Sequence, residues 1–500
     1  MTAGRLLGLL GAFAVWAVIA VPAWVLLFLA SSQQTVIAGH DAVLSPRLDG
    51  WSVLHTGALL PDARIRSGAR VGADIVIGKS EASSGPELVQ RIAVLGASPE
   101  AEVRRLTRLI EAMAVTAAVR AVLIGMAPVA LWLLLGTTRR RELARPSPQH
   151  AVIGTMVVVT VAVAGIAPWR AEREPALTTW LPLHQALPGV PVPVELAGME
   201  ITGGTMTTQT SRLIRSAIDT YEGSKTFYAE VRQQVIEAAP ALRQPENGDT
   251  VAVLLSDRHN NVGMDRVAAQ LGREAGARVV LDAGDDTSTG ASWEGFSLDS
   301  LAEAFSSYDV RVGIAGNHDH GDFVTRHLRE LGWTVLDGRR ATLFDDVRLH
   351  GVSDPRSSGL GNWRDESGLS FADVRDRYSA ELCRLDAEHQ RVATVLVHDA
   401  NLARPAVERG CVDLVVGGHV HSVSGPQAYD GERGRAYTFT NGTTGGAAYA
   451  WAMGSKLRRE ATITLITWRD GRPLGLQPVT IRTTGEVVVA PFSELTYPER

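Results

Sequence analysis

The sequence predicts a mixed α/β sandwich flanked by helices in the second half of the chain, preceded by a helical membrane region with three spans. Two observations predict the sandwich: from residue 250 onward, short apolar runs alternate with helical patterns, and polar signatures follow the apolar runs. Such alternation is typical of parallel strands joined by crossover helices. The third observation is a concentration of apolar residues before residue 170, in stretches long enough to cross a bilayer.

The bulk composition agrees with this division and disfavours one class of partner. With 500 residues the chain is long enough for two or three packed units. Hydrophobic residues make up 45% of it and the mean hydropathy is +0.04, values that are high for a wholly soluble protein. The net charge is −5, and the second half shows no basic stripe interleaved with aromatic residues. We therefore expect no nucleic-acid partner.

The first apolar segment predicts a transmembrane helix within residues 1–30. Leu6–Ala30 contains no charged residue over 25 positions. A helix of this length can cross a hydrocarbon core of roughly 30 Å. The alternative is a cleaved signal peptide, because small residues follow at Ala30-Ser31-Ser32. The apolar run is longer than the core of a typical signal peptide, which favours an uncleaved anchor.

Two further apolar segments predict transmembrane helices at residues 113–136 and 151–169. The loop between them, residues 137–150, contains four arginines and a single glutamate. Short arginine-rich loops stay in the cytoplasm, so we expect residues 31–112 and 170–500 outside it. This pattern predicts a multi-pass protein of the cell membrane whose C-terminal domain is extracytoplasmic. Cleavage of the first segment would not change that side.

The segments outside the membrane differ in their patterns. Residues 31–112 hold short apolar runs and then a helical pattern from Pro99 into the second span, which predicts a small α/β segment. Residues 170–247 begin with a proline-rich stretch and continue as a helical pattern, which predicts a juxtamembrane segment. Residues 248–490 carry the α/β alternation and form the predicted main domain.

Polar signatures follow the predicted strands of the main domain. These strands are Val251–Leu255, Arg278–Leu281, Val310–Ile314, Ala393–Val397 and Asp413–Val416. Because ligands gather at the carboxyl ends of strands in α/β sheets, the residues after these strands are candidate site residues. Five signatures stand there in order: Asp257-Arg258-His259, Gly284-Asp285, Gly316-Asn317-His318-Asp319, His398 and Gly418-His419-Val420-His421.

These signatures supply oxygen and nitrogen donors without thiolates. Such donor sets suit Mn²⁺, Fe or Zn²⁺ and leave positions open for water and substrate. Two metal ions roughly 3.5–4 Å apart need a carboxylate that bridges them. Asp285 is the best candidate for that role, and Asp286, which directly follows it, is the alternative. A single aspartate at a strand end is more often a cap, so it is the ordered set that predicts two divalent metal ions.

With this ordered set, the chain resembles the calcineurin-like metallophosphoesterase family, whose motifs run D-x-H, G-D, G-N-H-D or G-N-H-E, H and G-H-x-H. The resemblance covers residues 248–490 and implies a metallophosphoesterase-type β-sandwich flanked by helices. It implies one metal ion held by Asp257, His259, Asp285 and His421, and a second held by Asp285, Asn317, His398 and His419.

The same resemblance implies a mechanism and a substrate class. A metal-bridging hydroxide would attack phosphorus in line, His318 would protonate the leaving oxygen or steady the developing charge, and Asp319 would orient His318. We therefore expect hydrolysis of a phosphomonoester or phosphodiester. Anchoring near the outer leaflet favours a lipid-linked or cell-envelope phosphate. The alternative is a non-catalytic metal-binding or sensing module on the same fold, which the presence of His318 disfavours.

Several residues near the signatures keep two interpretations. His320, Arg356 and Arg364 are candidates for substrate binding, but solvated loop residues or surface salt bridges explain them as well. The Asn441-Gly442-Thr443 segment fits a glycosylation sequon, although a glycine-rich loop whose amides meet a phosphate is favoured. Cys383 and Cys411 are interpreted as two buried core residues, with a single disulfide as the alternative.

Overall fold

The computed structural model of the chain forms two compact units. It describes residues 3–37, 40–56, 62–80, 99–136, 138–140, 179–186, 197–202, 208–339, 341–357, 368–447 and 456–498. The first unit comprises residues 1–81 and 103–215, and the second contains Ser216–Arg500. The predicted third span, 151–169, and most of the predicted cytoplasmic loop, 137–150, lie outside the described residues.

Two long apolar helices belong to the first unit. They are α1 (Ala3–Leu29) and α2 (Pro99–Leu134), and the helical pattern predicted from Pro99 does run without interruption into the second apolar segment. Within the described residues, these are the two helices long and apolar enough to cross a membrane, with mean hydropathies of 2.4 and 2.0. Their apolar side chains are largely exposed, as for Leu123 and Leu131, which is compatible with contact with lipid.

The two helices pack against each other through small residues and aromatic rings. The indole nitrogen of Trp24 in α1 donates to the carbonyl oxygen of Ala114 in α2 at 3.0 Å. At Gly125 of α2, a Cβ atom would meet the Cβ of Ala20 at 2.8 Å and the ring of Trp16 at 2.9 Å. A glycine is therefore required for this close approach, as at many helix contacts in membranes.

A seven-stranded sheet forms the rest of the first unit, in the order β1-β2-β5-β3-β4-β7-β6. Its strands are β1 (Gln33–Ile37), β2 (His40–Arg47), β3 (Trp51–His55), β4 (Ala63–Arg66), β5 (Gly72–Ser80), β6 (Trp180–Pro182) and β7 (Glu200–Thr202). One face, with Leu44 and Ile75, packs on Leu106 and Leu109 at the start of α2. The apolar alternation of β2 and β5 therefore has the covering helix that a sheet of this kind needs.

The last two strands of this sheet come from the predicted juxtamembrane segment. β7 pairs antiparallel with β4, and β6 pairs antiparallel with β7, followed by the one-turn helix α3 (Leu183–Ala186). The sequence did not predict them, since strands of three residues show no alternation and one ends in a proline.

Helix α4 (Thr208–Ala238) agrees with the helical pattern predicted near residues 211–239, but from Ser216 onward it belongs to the second unit. Phe227, Val231 and Val235 are at most 4% exposed and lie in the core of that unit. The folded unit therefore begins near Ser216, before the predicted boundary at 248, because the apolar face of α4 covers a sheet of the sandwich.

The second unit contains two sheets packed face to face with helices on both outer sides. The strands of the first sheet are β8 (Asp249–Leu255), β9 (Val279–Asp282), β10 (Val310–Gly313), β11 (Thr334–Val335), β18 (Ala461–Arg469), β19 (Arg472–Ile481), β20 (Val487–Val489) and β21 (Ser493–Glu494). Those of the second are β12 (Thr342–Phe344), β13 (Val347–Val352), β14 (Val392–Val397), β15 (Val412–Gly417), β16 (Ser424–Gly431) and β17 (Gly434–Thr440). The predicted α/β sandwich is confirmed.

The core between the sheets is apolar and closely packed. It includes Leu254, Val416, Phe439 and Trp468, each 0% exposed. The outer faces are covered by α4 and by the helices α5 (Gly263–Glu274), α6 (Gly295–Ala304), α7 (Phe323–Glu330), α8 (Phe371–Ala387) and α9 (Arg404–Glu408). Strands buried on both faces are continuous apolar runs, which is why they were readable in the sequence.

The parallel strands end together. Leu255, Asp282 and Gly313 are neighbours across β8, β9 and β10, and β14 pairs in parallel with β15 in the facing sheet. All five signatures therefore leave their strands at the same edge of the sandwich.

The two cysteines form a disulfide between α8 and the residue before β15, with Cα atoms 4.9 Å apart. The favoured interpretation of two unpaired core cysteines is therefore wrong. Both are buried, as that interpretation required, and burial alone does not distinguish paired from unpaired cysteines.

Candidate metal centre

The loops that carry the five signatures have strained backbones. Five of the seven predicted ligands have φ angles between 45° and 78°: Asp257, His259, Asp285, His419 and His421. Residues with side chains rarely adopt this left-handed conformation, which costs about 1–3 kcal/mol each unless the surroundings enforce it. Such strain gathers at functional sites, and here it turns each side chain toward a common point at the strand ends.

The glycines of the signatures leave room for the aspartates. A Cβ atom at Gly316 would lie 2.2 Å from Oδ1 of Asp285, and one at Gly418 would lie 2.2 Å from Oδ2 of Asp257. Any side chain at either position would displace a predicted ligand, which explains why glycine precedes Asn317 and His419.

A first donor group joins Asp257, His259, Asp285 and His421. The Nε2 atoms of His259 and His421 are 3.1 Å apart, and Nε2 of His421 is 3.3 Å from Oδ1 of Asp257. Nε2 of His259 is 3.9 Å from Oδ2 of Asp285. The two aspartates and His259 are at most 1% exposed, so these donors face each other in a largely dry space.

A second donor group adjoins the first through the Asp285 carboxylate. Nε2 of His398 lies 3.2 Å from Oδ2 of Asp285 and 2.8 Å from the amide oxygen of Asn317. That same amide oxygen lies 2.9 Å from Nδ1 of His419. Asp285 is thus the carboxylate common to both groups, as its predicted bridging role requires, whereas Asp286 is turned away toward Arg258.

The donor set fits two cations. Two ligand atoms that each lie about 2.0–2.2 Å from one cation are themselves about 3–4 Å apart, and the separations here are 2.8–3.9 Å. The facing ring nitrogens of His259 and His421 repel each other unless a proton or a metal ion lies between them. The donors are carboxylate, amide and imidazole, which suit Mn²⁺, Fe and Zn²⁺.

Electrostatics at the centre also favour cations. Burial lowers the pKa of His259 to about 4, which keeps its ring neutral, as coordination requires. Burial works against protonation of His398 as well, but the Asp285 carboxylate outweighs it and raises the pKa of His398 to about 10. The Asp285 carboxylate therefore stabilises positive charge beside it.

Backbone carbonyls orient two of the rings from behind. Nδ1 of His398 lies 2.8 Å from the carbonyl oxygen of Ala283, and Nδ1 of His421 lies 3.2 Å from that of Ala447. A proton on each Nδ1 donates to the carbonyl and leaves Nε2 free to coordinate.

Asp319 has contacts other than the predicted one with His318. One of its carboxylate oxygens accepts from the amides of Asp285 and Gly316 at 2.8 and 2.9 Å. The other accepts from the amide and hydroxyl of Thr287. Nδ1 of His318 lies 3.3 Å from the carbonyl oxygen of Ser288. Asp319 therefore fixes the loop of Asp285, because four backbone amides, those of Asp285, Asp286, Thr287 and Gly316, converge on its buried carboxylate. The ring of His318 is oriented by a carbonyl instead.

Sequence reasoning missed two buried polar networks behind the ligands. In the first, the guanidinium of Arg258 contacts Asp265 and Asp286, and burial together with the Asp286 carboxylate raises the pKa of Asp282 well above its usual range. In the second, Glu294 accepts from Asn260 and from the amides of Ser288 and Thr289. The charged residue in the middle of the D-x-H signature, Arg258, was the feature of the sequence that could have indicated the first network.

The glycine-rich loop after β17 supports the first signature. Asn441 is 0% exposed and hydrogen-bonds to Ser256 and Thr464, so it is not an accessible glycosylation site. The amides of Thr444 and Gly445 donate to the carbonyl oxygens of Ser256 and Asp257. The suggestion that amides of this loop meet a phosphate is therefore wrong for these two, which hold the strand end instead.

The three residues considered for substrate binding differ in their placement. His320 is partly exposed beside His318 and contacts the hydroxyl of Ser357. Arg356 pairs with the carboxylates of Asp354 and Asp399. Arg364 lies outside the described residues. His318 itself is partly exposed, as are His419 and His421 of the G-H-x-H loop, so solvent reaches the centre along both loops.

Comparisons with known proteins bear on the fold. No protein-family model and no curated protein matches the chain. Among solved structures, a dimetal phosphatase from Danio rerio is similar over 49% of this chain and 99% of its own, with 14% identity and a TM-score of 0.32. The NAD nucleotidase of Haemophilus influenzae is similar over 49% of each chain, with 15% identity and a TM-score of 0.30. The chain thus matches about half the length of that nucleotidase.

An archaeal phosphodiesterase is similar over 43% of this chain and 93% of its own, with 13% identity and a TM-score of 0.26. These solved structures are all calcineurin-like metallophosphoesterases, the family that the motifs indicate. At these identities and TM-scores the likeness concerns the fold alone, and the chemistry is argued from the geometry of the centre.

Proposed function

We propose that the chain is a membrane-anchored, two-metal phosphoesterase that hydrolyses a phosphomonoester or phosphodiester. The observation that carries the proposal is the convergence of seven oxygen and nitrogen donors from five loops into two groups that share Asp285. Divalent cations bound there would lower the pKa of water and neutralise the charge of a phosphate ester. A site that needed one cation would not require a shared carboxylate.

His318 is the proposed catalytic acid. Its ring is partly exposed at the open side and lies 5.2 Å from the ring of His259, centroid to centroid. A proton on Nδ1 donates toward the carbonyl oxygen of Ser288, so Nε2 is the atom that faces a substrate. His318 can then give its Nε2 proton to the leaving oxygen or donate a hydrogen bond to the developing charge.

The competing proposal is a non-catalytic metal-binding or sensing module. The test is hydrolysis of mono- and bis-nitrophenyl phosphate by the full-length protein in detergent with added Mn²⁺. We expect Asn317→Ala and His318→Ala to lose most of the activity, while His389→Asn, a change at an exposed histidine, keeps it. Metal-loaded wild type that is inert on both esters, and indistinguishable from both alanine variants, would leave the binding module as the better account.

Continuity of the sheet in the first unit supports the proposed membrane topology. β4 follows α1 in the chain and pairs with β7, which follows residues 135–179. Paired strands lie on one side of a bilayer, because an open sheet cannot cross it. The start of α2 packs on the same sheet and its end leads away. If α2 crosses the membrane, the chain has to return before Trp180, and this supports the proposed third span at 151–169.

The charge of the 137–150 loop and the disulfide both support an extracytoplasmic second unit. Arginine-rich loops such as 137–150 favour the cytoplasm, and disulfides persist outside it, as for Cys383–Cys411. We expect an impermeant maleimide to label Ser306→Cys on intact cells and Ser147→Cys only after permeabilisation. The reverse pattern would place the second unit in the cytoplasm and contradict this topology.

An extracytoplasmic centre on a membrane anchor favours a lipid-linked or cell-envelope phosphate as substrate. The net charge of −5 gives no reason to propose a nucleic acid. The proposal is tested by comparing kcat/KM for phosphorylated lipids in mixed micelles with that for soluble sugar and nucleoside phosphates. Higher values for the soluble esters would reject the lipid-linked class without affecting the proposed chemistry.

A further inference from the structure

Arg258 is the middle residue of the D-x-H signature and is 0% exposed. Its Nε and Nη2 atoms donate to the two carboxylate oxygens of Asp265 in α5 at 2.9 and 3.0 Å. Its Nη1 atom donates to Asp286 at 2.7 Å. Asp286 directly follows Asp285, so one guanidinium connects the loop of Asp257 and His259 with the loop of Asp285.

Arg356 makes the same kind of contact in the facing half of the centre. Its Nε and Nη2 atoms donate to the two carboxylate oxygens of Asp354 at 3.0 and 2.7 Å. Its Nη2 atom also donates to Asp399 at 2.9 Å. Asp399 directly follows His398, and the guanidinium is held against the ring of Phe371 at 4.3 Å.

The two arginines share a pattern. Each forms a two-point pair with an aspartate that is not a predicted ligand, and each makes one further bond to the aspartate that follows a ligand. The planar guanidinium fixes both distance and angle in such a pair, which a lysine ammonium does not. The anchored guanidinium of Arg258 restrains its own chain neighbours Asp257 and His259, and that of Arg356 restrains His398 through Asp399.

We propose that Arg258 and Arg356 are positioning residues, each of which sets the ligand geometry of one metal position. Arg258 serves the position formed by Asp257, His259, Asp285 and His421, and Arg356 serves the position formed by Asp285, Asn317, His398 and His419. The inference rests on the proposed two-metal centre and assigns Arg356 to the centre rather than to the substrate.

The contacts of the shared ligand explain why the two effects are separable. Asp285 is held independently of Arg258, because its amide donates to Asp319 and its carboxylate accepts from the amide of His318 at 2.7 Å. Loss of Arg258 therefore removes the side-chain anchor of the D-x-H loop, whose backbone contacts remain, while Asp285 keeps its place for the second position. On the other side, the amide of Asp354 donates to the carbonyl oxygen of Ala315, two residues before Asn317.

The test measures Mn²⁺ affinity with only one position intact. His419→Ala removes a ligand of the second metal position, so full-length protein with this change keeps only the first position, that of Asp257, His259, Asp285 and His421. His421→Ala removes a ligand of the first position, so protein with this change keeps only the second, that of Asp285, Asn317, His398 and His419. Equilibrium dialysis against Mn²⁺ then gives one dissociation constant in each background. Arg258→Met and Arg356→Met are introduced separately into both backgrounds, and the melting temperature of each metal-free variant is recorded.

We expect a crossed result, in which each arginine variant weakens one metal position and leaves the other unchanged. In the His419→Ala background, Arg258→Met weakens Mn²⁺ binding by about 10–100-fold, the usual effect of removing a group that orients metal ligands, and Arg356→Met changes it by less than about twofold. In the His421→Ala background, Arg356→Met is the change that weakens Mn²⁺ binding by about 10–100-fold, and Arg258→Met changes it by less than about twofold. Arg258→Lys keeps the buried positive charge and therefore folds, and it weakens the first position alone. If Arg258→Met does not fold, this lysine variant decides that arm.

A purely structural role would move both positions together with the melting temperature. Equal weakening of both positions by either arginine variant, or no weakening by either, would overturn the inference. Wild-type protein is measured alongside and is expected to bind two Mn²⁺. Wild type that binds none would remove the two-metal proposal and this inference together, whereas two bound Mn²⁺ with an uncrossed result would remove this inference only.

Discussion

The two ends of the parallel strands in the second unit place their polar groups differently. At the carboxyl ends, arginine–aspartate pairs lie behind the centre, but within the centre like groups face each other: two imidazole nitrogens of the D-x-H and G-H-x-H loops are 3.1 Å apart, on backbones with left-handed φ. At the amino ends, opposite charges meet. Asp249 at the start of β8 accepts from Arg243 and Arg469 at 2.8 and 2.7 Å, and Asp413 in β15 accepts from Arg391 at 2.9 Å.

This difference separates function from stability. Unlike charges on ordinary backbone hold sheet edges together, whereas facing donors on strained backbone lower the stability of the protein until a ligand binds them. The amino ends are therefore expected to matter for folding and the carboxyl ends for metal binding and chemistry. The predictions below test that division, beginning with the largest effect.

Removal of α4 should prevent folding of the second unit altogether. Its Phe227, Tyr228, Val231 and Val235 are at most 8% exposed. Burial contributes about 1.5–3 kcal/mol for each such side chain, a sum comparable to the whole stability of a domain. We expect residues 216–500 to give a cooperative melting transition and residues 248–500 to lack one, measured by circular dichroism. A folded 248–500 fragment would contradict the boundary near Ser216.

Asp285→Asn should abolish activity at a much smaller cost in stability. Loss of a shared carboxylate removes several kcal/mol of charge stabilisation, so kcat/KM should fall by at least about 10³-fold. The stability of the metal-free protein should fall far less, because the Asn side chain keeps the size of Asp285 and can still accept the hydrogen bond from the amide of His318. Asp413→Asn at the amino ends is the matched control, with lower stability and unchanged activity. A variant at Asp285 that loses stability as much as activity would break the division.

Loss of the disulfide should reduce stability and leave the chemistry intact. Cys411 directly precedes β15, at the amino end, and the bond closes a loop with a sequence separation of 28. Loop-closure entropy predicts about 3–4 kcal/mol for a loop of this size. We expect the double variant Cys383→Ser/Cys411→Ser to melt at a lower temperature with unchanged kcat/KM at 25 °C. An equal loss of activity would show that this end also shapes the centre.

Asp249→Asn should have the smallest effect, and the effect should depend on pH. Burial alone would raise the pKa of Asp249, but Arg469 and Arg243 lower it to about 2, against 3.8 for the unfolded chain. The stabilisation is therefore complete above about pH 4 and is lost as the pH falls toward 2. We expect a deficit of at most about 2 kcal/mol at pH 7 that narrows below pH 4, measured by urea unfolding. Asp430→Asn, in an exposed pair, should show no measurable change.

The sequence was most informative where strands are buried on both faces. The predicted strands before the signatures are present as β8, β9, β10, β14 and β15, because continuous apolar runs bounded by turn residues leave little choice of structure. Strands β6 and β7 were not predictable, since three residues carry no periodicity and the pairing of β7 with β4 joins residues far apart in the chain.

The candidate centre was likewise predictable in some of its contacts and not in others. The resemblance to the metallophosphoesterase motifs implied which donors meet, and the position of Asp285 between two signatures made it the candidate for the shared carboxylate. Spacing did not predict what Asp319 and Arg356 contact, because hydrogen bonds to backbone amides and to aspartates of other loops depend on how those loops fold. The buried pairing of Arg258 with Asp265 and Asp286 was hidden for the same reason.

The central claim is that one carboxylate joins two metal positions. It is tested most directly by electron paramagnetic resonance of the full-length protein loaded with Mn²⁺, beside Asp285→Asn. The account predicts two Mn²⁺ per chain with the multiline spectrum of a spin-coupled pair in the wild type, and loss of that coupling in the variant. A single uncoupled Mn²⁺ in the wild type, or a coupled spectrum that survives in Asp285→Asn, would contradict it.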